Sequence, residues 1–87
     1  MKAVLCKAYG PASSLVLEET ADPVAKKNEV VIDIHAAGVN FPDTLIIEGK
    51  YQVKPPFPFS PGGEAAGVVA SVGESVKHLK VGDRVMG

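Results

Sequence analysis

Lys2 to Tyr9 (KAVLCKAY) is dense in strand-forming residues and ends at the breaker pair Gly10-Pro11. Leu15 to Glu19 (LVLEE) predicts a second short strand, paired with the first around the GPAS stretch. The polar loop DPVAKKN, which includes Pro23, precedes Glu29–Val39 (EVVIDIHAAGV), a third, largely apolar strand interrupted by Asp33 and His35. At Phe41 the period changes. From there to Glu48, Phe41, Leu45 and Glu48 share one face at helical spacing, with Ile46 and Ile47 beside them. Asn40 suits the N-cap, Pro42 the first turn and Asp43 the positive end of the helix dipole, while Gly49 supplies the stop. A helix this short depends on tertiary support.

Lys54 to Gly63 (KPPFPFSPGG) holds four prolines, which rules out a central strand and predicts an extended, rather rigid loop. Strand character resumes over Glu64–Gly73 (EAAGVVASVG), where Gly67 marks a bulge or a close backbone approach. ESVKHLKVGD is a turn region, and DRVMG opens another strand just before Gly87. Five or so short strands and one small helix predict a β-rich α+β domain, a partly open barrel with one short helix. Because the last strand is unfinished at Gly87, the barrel is expected to be truncated, with residues 1–87 forming the N-terminal part of one domain.

Composition narrows the partners more than the fold. Nine Lys+Arg against ten Asp+Glu give a formal charge of −1, with no basic stripe for nucleic acid or an anionic membrane. The apolar runs are far too short to span a bilayer. The single Cys6 excludes an intramolecular disulfide and a cysteine metal cage. With no signal-peptide pattern after Met1, these features point to a reducing cytoplasm.

Several familiar chemistries are absent. GGEAAG (Gly62–Gly67) lacks the spacing and the following Lys of a phosphate-binding loop, and its glycines suit a turn and a strand bulge. Neither His35 nor His78 has a Cys or carboxylate at metal-ligand spacing. His78 reads as a solvated turn residue, His35 as a satisfied or half-exposed strand residue, and Cys6 as core. No nucleophile–base set can be assembled. The informative group is Asn40, Asp43, Tyr51 and Glu64. Pattern alone favours plain capping for Asn40 and Asp43 and an amphipathic rim for Tyr51, since N-caps are common and catalytic residues rare.

AAGVNFPDTLIIEGKYQ, followed by PFPFSPGGEAAGVVASVGESVKHLKVGDRV, closely resembles the N-terminal part of zinc-independent quinone oxidoreductases of the medium-chain dehydrogenase/reductase superfamily. The resemblance extends over essentially the whole chain. It implies a GroES-like catalytic domain, followed in the full-length enzyme by a Rossmann domain that binds NADPH and is absent from this chain. Zinc alcohol dehydrogenases of the same superfamily carry a Cys ligand where this chain has Asn40, and a His ligand where it has Gly63. An amide is a poor Zn²⁺ ligand and glycine offers no side chain, so a catalytic zinc is not expected, although Glu64 remains.

By the same resemblance Asn40 and Tyr51 are the expected catalytic pair. Asn40 and Phe41 face the nicotinamide end of the cofactor, and Tyr51 lines the acceptor pocket. Asp43 is expected to keep its capping role and hold Asn40 in place, and Glu64 to be a buried support residue behind the site. Some relatives place a further tyrosine on the short helix where this chain has Leu45, which leaves the acceptor preference open. The implied activity is NADPH-dependent, zinc-free hydride transfer to a small-molecule quinone or enone, by a homodimer when full-length. The isolated 87 residues are expected to be inactive. A free-standing GroES-like structural or binding module, and an enoyl-thioester reductase with a tyrosine proton donor, are the competing expectations.

Overall fold

A computed structural model describes all residues, Met1–Gly87. Its elements in chain order are β1 (Lys2–Leu5), a 3₁₀ turn (Ala12–Ser14), β2 (Val16–Glu19), β3 (Val30–Ala37), α1 (Phe41–Ile47), β4 (Ala65–Val72) and β5 (Arg84–Met86). The strands form two open sheets, of order β1-β2 and β3-β4-β5, antiparallel throughout. The expected β-rich α+β class with one short helix is therefore observed. No helix is long and apolar enough to cross a membrane. The chain divides into two compact units, Met1–Ala21 with Val39–Gly63 and Asp22–Gly38 with Glu64–Gly87.

In the first unit β1 is shorter than its strand-forming sequence. Lys2–Leu5 pairs with Glu19–Val16, but from Cys6 onward the chain finds other partners. Cys6 exchanges both main-chain bonds with Phe59 in the proline-rich loop, at 2.7 and 3.1 Å. Its thiol donates to the Ala8 carbonyl at 3.2 Å. Tyr9 consequently lies in a bend rather than in the sheet. The proline-rich loop is extended, as its composition dictates, and contains a cis Phe57–Pro58 peptide. The apolar core of this unit is Cys6 and Ile47, exposed by 1% and 3%.

The helix forms where its start and stop signals place it, but it buries a different row. Asp43 and Ile47, one turn apart, are the buried positions; Phe41, expected on the apolar face, is 74% exposed. At the far end Gly49 takes φ 73°, and the Gly49 and Lys50 amides return to the Ile46 and Leu45 carbonyls. That left-handed turn is the glycine stop that the sequence signals.

The second unit is organised on β4. Its Val69 is 1% exposed and is the buried apolar residue of the β3-β4-β5 sheet. Pairing with β3 slips twice, leaving Ala70 of β4 and His35 of β3 as the extra residues of two bulges. Gly67 sits opposite Ile34, and a Cβ there would overlap the Asp33 carbonyl oxygen, which confirms the close backbone approach expected at this glycine. Gly73 plays the same part against the Lys26 carbonyl and donates its N–H to Glu29 O at 2.7 Å. A turn closed by Asp83, which accepts the Lys80 N–H at 3.0 Å, leads into β5.

Candidate active site

The site residues build up from the start of α1. Asn40 is extended (φ −123°, ψ 161°), so its N–H points back toward the first helical turn. The Asp43 carboxylate accepts that N–H at 2.9 Å, and the Asp43 N–H donates to the Asn40 carbonyl at 3.0 Å. The Asn40 side chain also faces the Asp43 N–H, so the two side chains reach each other's main chain as a capping box. Asp43 is 9% exposed, the one buried charged side chain of the chain, and its charge lies against the positive end of a helix dipole. Pro42 occupies the first turn, where no N–H is required, and Thr44 donates its hydroxyl to the Phe41 carbonyl at 2.7 Å.

This arrangement keeps Asn40 and Phe41 on the surface while anchoring them from below. Both are exposed, so an amide and an aromatic side chain occupy consecutive surface positions at the capped helix start. Tyr51 lies two residues beyond Gly49 and is half-buried. Asn40, Phe41, Asp43 and Tyr51 all belong to the first unit.

Glu64 belongs to the second unit, just before β4, and is exposed rather than buried as expected, because the loop ahead of the strand leaves it on the surface. Its carboxylate lies directly over Gly38, where a Cβ would overlap the Oε1 atom. Beside this contact the small residues Ala36, Ala37, Ala65 and Ala66, with Met86, line a cleft of about 400 Å³. Glu64 is thus tied to a small-residue surface of β3 and β4.

No group of three or more His, Cys, Asp or Glu side chains comes together in a way that could hold a metal ion. His35 and His78 are both exposed, and Cys6 is buried in the core as the sequence indicates. Sequence reasoning passed over Tyr9. Its ring covers Gly49 and meets Phe57 edge-on, with centroids 4.8 Å apart. The available signal was an aromatic residue beside a Gly-Pro breaker, with a second aromatic pair in FPF, but their meeting is a long-range contact.

Comparison with known proteins agrees with this architecture. Residues 26–87 match the alcohol dehydrogenase GroES-like domain. The chain belongs to that family. Within it, the chain is 47% identical over 73 residues to rat quinone oxidoreductase-like protein 2, covering 84% of this chain and 21% of that protein. It is 45% identical over 76 residues to pig quinone oxidoreductase, covering 87% of this chain and 23% of the relative. Among solved structures, the Escherichia coli quinone oxidoreductase complexed with NADPH superposes with a TM-score of 0.92 at 37% identity. That match covers 99% of this chain and 26% of the bacterial one. This GroES-like chain therefore spans about a quarter of the length of the proteins it matches, and its likeness to quinone oxidoreductases of the medium-chain superfamily holds over nearly all of its residues.

Proposed function

We propose that this chain is the N-terminal catalytic-domain segment of an NADPH-dependent quinone or enone oxidoreductase that delivers hydride to a conjugated carbonyl without zinc. The observation behind this reading is the capped turn at Asn40. An exposed residue, fixed through its main chain by a buried carboxylate, stands where the resemblance puts the thiolate ligand of the zinc enzymes. The residues present do not fit a catalytic zinc. Asn40 offers a neutral amide, Gly63 offers no donor, and Glu64 is the one remaining carboxylate of the ligand pattern.

The residues fit the nicotinamide end of NADPH better. Asn40 supplies amide N–H donors, and Phe41 an exposed apolar ring, from one anchored turn. NADPH, when bound, supplies the hydride. The protein's part is to orient that donor and to favour the charge that develops on the acceptor oxygen. Hydrogen-bond donors suffice when conjugation spreads this charge, and in this reading Tyr51 contributes one. The reduced acceptor takes up one hydride and one proton, giving a hydroquinone or a saturated ketone. The rest of the cleft and the cofactor's phosphate site belong to sequence outside these 87 residues, so the isolated segment is inactive in this reading.

The test uses the complete enzyme with quinones, short enones and acyl-thioesters as acceptors. Quinone or enone turnover with NADPH, depressed in Asn40→Ala and Tyr51→Phe, supports the proposal. Preference for acyl-thioesters would instead favour the enoyl-thioester reductase. Kinetics unchanged in both variants would return Asn40 and Tyr51 to capping and packing.

A further inference from the structure

We propose that Tyr9 is a positioning residue for the acceptor pocket, acting through Gly49 on the segment that carries Tyr51; the inference rests on the acceptor-pocket reading of Tyr51 given above. Three atoms of the Tyr9 ring lie 3.1–3.2 Å from the point where a Cβ would stand on Gly49. The ring therefore rests on a bare α-carbon, and a methyl group at residue 49 would require it to give by a few tenths of an ångström. Gly49 is also the residue that turns the chain out of α1, at φ 73°, with the Lys50 N–H held by the Leu45 carbonyl at 2.9 Å. Whatever fixes Gly49 fixes the direction in which Lys50 and Tyr51 leave the helix.

Tyr9 is itself held through its neighbour's main chain and through its ring. Its neighbour Gly10 donates its N–H to the Ile47 carbonyl at 2.9 Å, occupying one of the acceptors that a helix end leaves open. Its ring meets Phe57 edge-on, and Phe57 stacks on Phe59 with centroids 5.7 Å apart. Phe59 in turn exchanges main-chain bonds with Cys6, at the end of the same strand that leads to Tyr9. This closed circuit runs from β1 through the proline-rich loop and back to the helix terminus. Yet Tyr9 is 45% exposed, which is poor value for a core side chain. Its ring contacts are Phe57 and Gly49, and the second of these is the turn that leads to Tyr51.

The experiment measures steady-state kinetics of the complete reductase with one quinone acceptor, in Tyr9→Phe, Tyr9→Leu, Gly49→Ala and Tyr51→Ala. Tyr9→Phe keeps the ring on Gly49 and should match the parent enzyme. Tyr9→Leu should raise the acceptor KM roughly tenfold, with the NADPH KM nearly unmoved, because a misplaced pocket wall weakens acceptor binding alone. Gly49→Ala, which strains the φ 73° turn as well as pressing on the ring, should give the same split, and Tyr9→Met serves as the test if Tyr9→Leu does not fold. Equal rises in both KM values, or an unmoved acceptor KM in Tyr9→Leu and Gly49→Ala, overturn the assignment. If Tyr51→Ala shifts the acceptor KM while those two variants do not, only the role of Tyr9 is lost. If Tyr51→Ala has no effect, the acceptor-pocket reading falls and the positioning role falls with it.

Discussion

Asn40 and Asp43 divide one task between them, because the exposed amide is held by the buried acid through the main chain. Asp43→Ala removes the acceptor for the Asn40 N–H and should lower stability by about 1–2 kcal/mol, read from urea unfolding of the complete protein. Asp43→Asn, which retains an acceptor oxygen without the charge, should lose less. Asn40→Ala keeps the main-chain N–H that Asp43 binds, so its stability loss should stay near or below about 1 kcal/mol while turnover falls markedly. A turnover unchanged by Asn40→Ala, alongside clear destabilisation, would show the residue to be a cap and nothing more. The cap itself was legible in the spacing of Asn40, Pro42 and Asp43. The burial of Asp43 was not, because local pattern does not report which face of a short helix meets the rest of its unit. Phe41 shows the same limit in reverse: its spacing suggested core, and it stands in solvent.

At the scale of elements, local signals located every strand and the helix, and the errors lie at ends where a long-range partner intervenes. β1 stops at Leu5 although strand-forming residues continue to Tyr9, because Cys6 pairs with Phe59 instead. No periodicity encodes a partner that far along the chain. Glycines were more legible, since a bare position within a strand signals a close approach. Gly67→Ala would drive a methyl group into the Asp33 carbonyl and should destabilise by about 1–3 kcal/mol. Gly63 has nothing within 4 Å of its would-be Cβ and no positive φ, so Gly63→Ala should stay within about 0.5 kcal/mol of the parent. Thermal unfolding of the pair checks the contrast, and equal effects would contradict the β3–β4 geometry described above.

For the whole molecule, the buried apolar residues are few: Cys6, Ile47 and Val69. Membership of the GroES-like family and similarity to quinone oxidoreductases account for the architecture, and the sequence carried both in its two long central motifs. What it could not carry was the three-dimensional support around those motifs, namely the Asp43 clasp, the Glu64 carboxylate over Gly38 and the Tyr9 ring over Gly49. In the proposed function an anchored amide takes the place of a metal ligand and hydride transfer proceeds without a Lewis acid. The most direct measurement is NADPH oxidation by the complete enzyme with a quinone acceptor, before and after exhaustive chelation, with bound metal quantified in the same samples. Undiminished turnover in metal-free protein is the expected result. Loss of turnover on chelation, restored by added Zn²⁺, would contradict it.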